Sequence, residues 1–296
     1  MTTANAEMLE KIKSGQGFIA ALDQSGGSTP KALKGYGIDE GEYSGDEEMF
    51  ALIHAMRSRI VTAPCFNGDK VIGAILFERT MDGEADGKPI PALLWERGVV
   101  PFLKVDKGLE AEADGVQLMK PNADLDALCE RAVAKGVFGT KMRSVVNLAN
   151  PVGVKAIVAQ QFAEAARIAA HGLVPIIEPE VNIKSPERDA ADRLLLSETL
   201  AALDAWTGAP VMLKLSLPTE AGLFQPLVDH PKVLRVVALS GGFARPEACV
   251  ELAKNPGIIA SFSRALLEDL RHQMSDAEFN GSLGGAIDEI HAASVA

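Results

Sequence analysis

One lysine interrupts the apolar run Val211-Met212-Leu213-Lys214-Leu215-Ser216, which lies between Pro210 and Pro218. A run this short and this apolar predicts a parallel strand that is buried on both faces. Because strand side chains alternate between faces, Lys214 shares one side with Met212 and Ser216. Burial without a partner favours the neutral amine, which forms imines with carbonyl compounds. Considered alone, such a lysine could instead extend its ammonium group to solvent from a strand end or belong to a structural ion pair.

Seven other apolar segments of strand length alternate with segments of helical periodicity along the chain. The predicted strands are 17–23, 71–77, 99–107, 138–143, 173–180, 211–216, 233–239 and 258–262. Eight strand–helix units in 296 residues predict an α/β fold, a single-domain (β/α)8 TIM barrel over residues 1–296. An open doubly wound sheet is disfavoured, because residues 23–28 lack the G-x-G-x-x-G spacing of a dinucleotide-binding turn. The polar residues 78–87 predict a long loop.

The composition excludes several classes of partner. A formal net charge of −11 and a pI near 5.0 argue against binding to nucleic acid or to an anionic membrane surface. No run reaches the roughly 18 apolar residues of a membrane span, and residues 7–12 are amphipathic rather than the apolar core of a signal peptide. The three cysteines are odd in number and far apart, which predicts a reducing, cytoplasmic location. A homo-oligomer is left open.

Charged residues cluster at the C-terminal ends of the predicted strands, where barrel enzymes carry their active sites. Several ionisable groups that converge on one face of a barrel indicate a functional site, and this favours a catalytic Lys214 over a structural one. The candidate catalytic residues are Lys214, Glu178, Asp23, Lys141 and Glu180.

Two groups of residues are candidates for binding phosphate. Ser240-Gly241-Gly242 follows the seventh predicted strand, and Arg264 opens the last helix after the eighth, the usual phosphate site of a barrel. A plain turn is the alternative for Ser-Gly-Gly by itself. On the opposite rim, Lys104 can act with Ser25 and Ser28. The full set of candidate substrate-binding residues is Ser25, Ser28, Lys104, Arg143, Ser240, Gly241, Gly242 and Arg264.

Metal chemistry has little support in the sequence. The five histidines lie in predicted helices or their flanking loops, so no histidine–carboxylate set with zinc spacing falls at the strand ends. We therefore expect an enzyme without metal or cofactor that makes or breaks carbon–carbon bonds through a protonated imine.

Six motifs occur in collinear order along nearly the whole chain. They are Ala20-Ala21-Leu22-Asp23-Gln24-Ser25-Gly26-Gly27-Ser28, Leu103-Lys104-Val105-Asp106-Lys107-Gly108, Pro175-Ile176-Ile177-Glu178-Pro179-Glu180, Leu213-Lys214, Leu239-Ser240-Gly241-Gly242 and Ser261-Phe262-Ser263-Arg264. Together they resemble class I fructose-bisphosphate aldolase in its shorter bacterial form. The resemblance implies a lyase that cleaves the phosphorylated sugar fructose 1,6-bisphosphate to dihydroxyacetone phosphate and glyceraldehyde 3-phosphate in glycolysis. It also implies the reverse condensation in gluconeogenesis.

The resemblance also implies roles for individual residues. Lys214 would form the Schiff base, and Glu178 would be the general acid and base for dehydration of the carbinolamine. Asp23 and Lys141 would assist carbon–carbon cleavage. One phosphate would be bound by Ser240, Gly241 and Arg264, and the other end of the substrate by Lys104, Ser25 and Ser28.

The chain departs from the animal members of this family at several positions. Those enzymes carry tyrosine where Phe262 stands, glycine where Ser263 stands and tryptophan where Met142 stands. They also end in a tyrosine that transfers the proton of the imine, whereas this sequence ends in Ser294-Val295-Ala296. The group that transfers this proton is left open.

Two other functions fit the same fold. A Schiff-base aldolase for a different phosphorylated sugar, one with a single phosphate, is the nearest alternative, and the two opposed basic clusters argue against it. A binding protein built on an inactivated barrel would be expected to lack part of the charged constellation, yet every charged strand-end residue is present.

Overall fold

Eight parallel strands form a barrel at the centre of the computed structural model, which describes residues 3–296. The strands are β1 (Phe18–Leu22), β2 (Val71–Leu76), β3 (Val100–Lys104), β4 (Gly139–Val146), β5 (Val174–Val181), β6 (Val211–Ser216), β7 (Val233–Leu239) and β8 (Ile258–Ala260). Each strand pairs in parallel with the next one along the chain. The predicted (β/α)8 barrel is therefore confirmed.

Helices lie between the strands and cover the barrel. They are α1 (Thr3–Ser14), α2 (Ser28–Gly35), α3 (Gly45–Thr62), α4 (Glu78–Asp82), α5 (Ile90–Glu96), α6 (Leu125–Ala134), α7 (Pro151–Ala170), α8 (Arg188–Ala205), α9 (Gln225–Val228), α10 (Arg245–Ala253), α11 (Arg264–Leu267) and α12 (Asp276–Ser294). None of the helices in residues 3–296 has the length and hydrophobicity needed to cross a bilayer.

Two hydrophobic cores follow from the alternation of side chains along each strand. The larger core lies between the strands and the helices and includes Val211, Leu213 and Leu215 of β6. The smaller core fills the barrel and includes Met212 of the same strand. Lys214 is in phase with Met212, so the predicted inward direction of this lysine is confirmed.

Helix α1 closes the N-terminal end of the barrel. Met8 and Ile12 of α1 belong to the core inside the barrel. Arg235, near the start of β7, donates hydrogen bonds to the main-chain oxygens of Ile12 at 3.0 Å and Gly15 at 2.7 Å. The interior is thus filled from below, and the opposite end, where the strands terminate, remains accessible to substrate.

The seam between β8 and β1 is weaker than the other strand contacts. Ala21 N donates to Phe262 O at 3.0 Å across it, and the sheet pairing of residues 3–296 includes no ladder between these two strands. Ala260 N donates instead to Ser294 Oγ at 3.0 Å, so the C-terminal helix supplies a partner at the seam.

Residues 78–87 are not the long loop that the sequence predicts. The helix α4 begins at Glu78, an acidic residue that favours a helix N-terminus, and Glu84–Ala85 pairs antiparallel with Lys88–Pro89. Asp86 and Gly87 both have positive φ and form the two-residue turn of a β-hairpin. The Asp-Gly pair was the available signal for this hairpin.

Other differences concern the ends of elements. Strand β3 ends at Lys104 rather than at residue 107, β8 ends at Ala260, and β4 and β5 continue to Val146 and Val181. The short strand Val116–Gln117 pairs antiparallel with β4. Domain bounds of 1–296 remain a prediction, because positions 1 and 2 lie outside the described residues.

Candidate active site

A cavity of about 1230 Å³ opens at the C-terminal ends of the strands. All thirteen candidate residues predicted from the sequence line it. They come from the ends of seven strands and the loops after them, namely β1 and β3 to β8. Phe77, directly after β2, also lines the wall. The barrel thus brings into one space residues that are up to about 240 positions apart in the sequence.

Four buried charges form the floor of this cavity. Lys141 Nζ lies 3.0 Å from Asp23 Oδ2 and 2.6 Å from Glu178 Oε2. Lys214 Nζ lies 3.4 Å from Glu178 Oε1. One carboxylate is therefore shared by two ammonium groups, and each of the four residues is at most 7% exposed. The contact between Lys141 and Glu178 is a close ion pair without the geometry of a hydrogen bond, since Glu178 Oε2 has no hydrogen-bond partner in residues 3–296.

The strand register explains why these charges meet. In the β5–β6 pair, Ile176 lies opposite Met212. Two residues further along both strands, Glu178 and Lys214 point to the same side as these core residues. Lys141 reaches Glu178 from the neighbouring strand β4. The inward phase of three adjacent strands therefore places two amines on either side of one carboxylate.

Burial and neighbouring charges shift the pKa values of these groups in a consistent way. Burial lowers the pKa of Lys141 to about 8, and the negative charge of Asp23 partly opposes this effect. Burial also lowers the pKa of Lys214, against the opposing charges of Asp23 and Glu180. At Asp23 burial raises the pKa, but Lys141, Lys214 and Lys104 outweigh it and hold the pKa well below the ordinary value. The carboxylate stays ionised while the amines lose their protons more easily than ordinary lysines do.

A second set of ion pairs lies closer to the rim. Arg143 Nε donates to Glu180 Oε2 at 2.5 Å, and Lys104 Nζ donates to Asp106 Oδ1 at 2.7 Å. The main-chain nitrogen of Arg143 lies 3.3 Å from Asp106 Oδ2, which joins the two pairs. These contacts hold two cationic side chains at the cavity wall, within the space that a substrate would enter.

The loop after β7 has the backbone geometry of an anion-binding loop. Gly241 and Gly242 have φ values of 61° and 120°, in the region that favours glycine. A Cβ on Gly241 would lie 2.5 Å from Ile183 Cγ2, and one on Gly242 would lie 3.3 Å from Arg264 Nη2. Arg264 therefore extends its guanidinium next to this loop. The sequence predicted that Arg264 opens the last helix. This is wrong, because Arg264 is the first residue of the four-residue helix α11, and the last helix is α12.

In the second candidate phosphate site, the side chains form hydrogen bonds with nearby protein groups. Ser28 Oγ accepts a hydrogen bond from Ser25 N and donates one to Ser25 O, both at 2.8 Å. Lys104 lines the same cavity, and its Nζ donates hydrogen bonds to the main-chain oxygen and Oδ1 of Asp106. A phosphate that binds here would replace these local contacts with its own hydrogen bonds.

Gln24, Lys107 and Ser261 are among the cavity-lining residues that the sequence prediction missed. Ser261 is 1% exposed, and within residues 3–296 its hydroxyl has no hydrogen-bond partner. It shares the strand phase of Ile259, which belongs to the interior core, so alternation could have identified it. Gln24 is uncharged and carries no such signal.

No group of three or more histidine, cysteine, aspartate or glutamate side chains within residues 3–296 is arranged to hold a metal ion.

Comparison with known proteins links the chain to one family. Residues 3–201 match the family model described as "Fructose-bisphosphate aldolase class-I". A curated protein from Porphyromonas gingivalis named "Fructose-bisphosphate aldolase class 1" is 55% identical over 292 residues, which cover 98% of this chain and 99% of that protein. This second match extends beyond residue 201 and so includes the regions of Lys214 and Arg264.

A solved structure shows the same fold. It is a ternary co-crystal structure of fructose-bisphosphate aldolase from Plasmodium falciparum in complex with TRAP and a small molecule inhibitor. The TM-score is 0.79, with 99% of this chain and 95% of that chain covered. At 20% sequence identity this likeness concerns the fold alone.

The lowered pKa of Lys141 predicts a pH dependence of stability. An unfolded lysine has a pKa of about 10.5, so between about 8 and 10.5 the unfolded chain binds more protons than the folded one. The free energy of unfolding should therefore rise with pH across this window, through the contribution of Lys141. Denaturant titrations of the wild type and of Lys141→Met measure it: the variant should show a smaller rise with pH.

Lys155→Met is the matched control, because Lys155 is exposed on α7. Its pH dependence should parallel that of the wild type. An equal slope in Lys141→Met and the wild type would show that Lys141 carries an ordinary pKa.

Proposed function

The chain belongs to the class I fructose-bisphosphate aldolase family, and we propose that Lys214 is its Schiff-base lysine. The enzymes of this class are lyases that work through an imine and without a metal ion. The reaction is the reversible cleavage of fructose 1,6-bisphosphate to dihydroxyacetone phosphate and glyceraldehyde 3-phosphate in glycolysis. The observation that carries the assignment is the carboxylate of Glu178 between two buried amines, 3.4 Å from Lys214 and 2.6 Å from Lys141.

The contacts of the two lysines separate their roles. Lys141 lies within 3.0 Å of two carboxylates, which stabilise its ammonium form. Among the described residues, Lys214 contacts one carboxylate, that of Glu178, and this contact is longer at 3.4 Å. The less compensated amine loses its proton more readily, and only a neutral amine attacks a carbonyl carbon. Lys214 is therefore the nucleophile, and Lys141 remains the positive charge that supports the reaction.

Glu178 is placed to move protons in imine formation. Glu178 first takes a proton from the ammonium group of Lys214, 3.4 Å away. The neutral amine adds to the carbonyl carbon of the open-chain sugar, and a proton of the adding nitrogen moves to the carbonyl oxygen to give a carbinolamine. Glu178 then supplies a proton to the departing hydroxyl group, which leaves as water, and the protonated imine forms. The positive imine withdraws electrons when the adjacent carbon–carbon bond breaks. Asp23, held ionised by Lys141, accepts the proton of the substrate hydroxyl group whose carbon becomes the aldehyde.

The remaining residues bind the substrate and balance charge. Glu180 holds Arg143 at the cavity wall and raises the pKa of Lys214 against the effect of burial. The two phosphates bind at opposite sides of the cavity. One side comprises Ser240, Gly241, Gly242 and Arg264, and the other comprises Lys104, Arg143, Ser25 and Ser28.

Condensation in gluconeogenesis follows from reversal of the same steps, and we include it in the proposal together with a cytoplasmic location. The three cysteines are free thiols, Cys129 and Cys249 being buried, as a reducing compartment permits.

Replacement of the proposed nucleophile should abolish catalysis but keep the fold. Lys214→Met retains the apolar stem and removes the amine, so cleavage in a coupled assay should fall to background. The midpoint of thermal unfolding, Tm, should stay level or rise, because a desolvated ammonium is removed while Glu178 keeps Lys141 as its partner.

Lys141→Met is the matched comparison. It leaves Asp23 without an ion-pair partner, which should cost about 3–5 kcal/mol of stability. Full cleavage activity in Lys214→Met would exclude the assignment of Lys214.

Replacement of Glu178 should separate proton transfer from covalent bond formation. Glu178→Gln keeps the shape of the side chain and leaves Lys214 in place, so the adduct with substrate should still form. Its rate should fall by roughly 10²–10⁴, the usual contribution of a general acid or base. A time course of adduct formation in rapid-quench experiments measures this. A wild-type rate would remove Glu178 from the proton-transfer steps.

Removal of the guanidinium at the β7–β8 site should weaken substrate binding. Arg264→Ala deletes a charge-assisted contact of roughly 1.5–3 kcal/mol, so KM for the bisphosphate should rise about tenfold or more. Arg271→Ala is the control, since Arg271 also lines the cavity but its guanidinium donates to the main-chain oxygens of Glu268 and Leu270. Equal KM values for Arg264→Ala and the wild type would contradict the phosphate role.

A further inference from the structure

Arg57 is a buried cation that the proposed mechanism does not use. It lies in α3 and is 1% exposed. Its Nη1 donates to Thr80 Oγ1 at 2.8 Å, and its Nη2 donates to the main-chain oxygen of Gln24 at 2.5 Å and to Gln24 Oε1 at 3.2 Å. These acceptors are neutral oxygens. Within residues 3–296 its Nε has no hydrogen-bond partner. A desolvated guanidinium is costly, and two of its three hydrogen bonds go to one glutamine, which indicates that the position of this glutamine matters.

The contacts fix the orientation of the Gln24 side chain. An arginine can only donate hydrogen bonds, so the oxygen of the amide group must face Arg57 and the nitrogen must face away. Gln24 Nε2 donates to Ser263 Oγ at 2.6 Å and lies 3.3 Å from Ala21 O. Arg57, Gln24 and Ser263 thus form a continuous chain of buried or partly buried hydrogen bonds from α3 to the loop after β8.

This chain crosses the weakest seam of the barrel. Across residues 3–296, β8 and β1 share no strand ladder, and the backbone contact between Ala21 and Phe262 lies just below Gln24. Above that point the spacing of the two loops depends on side chains. The hydrogen bond from Gln24 to Ser263 joins the two loops there.

The two loops carry residues of different phosphate sites. Gln24 directly precedes Ser25, and Ser263 directly precedes Arg264. We propose that Arg57 and Gln24 are positioning residues that set the distance between the two phosphate-binding segments of the active site. The inference rests on the proposed function, because it assigns Ser25 and Arg264 to opposite ends of the substrate. A ligand held at both ends senses this distance, and a ligand held at one end does not.

The test compares a bisphosphate with a monophosphate in a double-mutant cycle. Gln24→Met keeps the length of the side chain and removes both hydrogen-bonding atoms, and Ser263→Ala removes the other partner of the bridge. Steady-state kinetics on fructose 1,6-bisphosphate and on fructose 1-phosphate, together with Tm, are measured for the wild type, both single variants and the double variant.

Each single variant should raise KM for the bisphosphate about tenfold, the equivalent of one ordinary hydrogen bond, with kcat within about threefold of the wild type. KM for the monophosphate should change much less. The double variant should be no worse than Gln24→Met, because both changes break the same bridge. Arg57→Lys should show the same selective loss; if that variant does not fold, the cycle at Gln24 and Ser263 decides alone.

Three results would overturn the inference: no change in KM for the bisphosphate, an equal rise for both substrates, or additive effects in the double variant. A variant whose Tm changes while its KM for the bisphosphate does not also counts against the inference. Failure of the proposed function is distinguishable, because it requires that the wild type cleaves neither sugar phosphate or that Lys214→Met remains active.

Discussion

One carboxylate held between two buried amines is the interaction on which the active site depends. Glu178 contacts Lys141 and Lys214 at the same time, and Asp23 completes a set of two positive and two negative charges. Such charges are tolerated in a protein interior because each has an opposite partner nearby. The two amines are not paired equally, because Lys141 lies close to two carboxylates and Lys214 lies farther from one. In our proposal Lys141, which is well compensated, stays a cation, while Lys214 acts as the nucleophile.

The barrel supplies this arrangement through the phase of its strands. Inward positions that carry core residues at the lower levels carry charges at the top, as in β6, where Lys214 follows Met212 on the same face. The same construction leaves a weak point, because the seam between β8 and β1 lacks a ladder. Arg57 and Gln24 lie at this point, beside both loops that we assign to phosphate binding. The floor of the site is set by strand register, and its width at the seam by side chains.

Much of this could be predicted from the sequence, since alternation in short apolar strands determines which residues point inward. Strand β6 was predicted with its observed bounds, and all candidate residues line one cavity. Contacts across the barrel could not be predicted, because the distance between Asp23 and Lys141 depends on how the whole sheet curves. Arg57 shares a helical face with Ile53 and Ile60, which was a usable sign of burial. Its partner Gln24 gave none, as neutral polar residues at strand ends are common.

The identity of the nucleophile is the central claim, and reduction of the imine tests it most directly. The wild-type enzyme is incubated with dihydroxyacetone phosphate and sodium borohydride, digested, and mapped by mass spectrometry. The account predicts a single modified peptide that carries the reduced adduct on Lys214. A modification on Lys141 or Lys104 instead would contradict it, because the better compensated amine would then be the one that reacts.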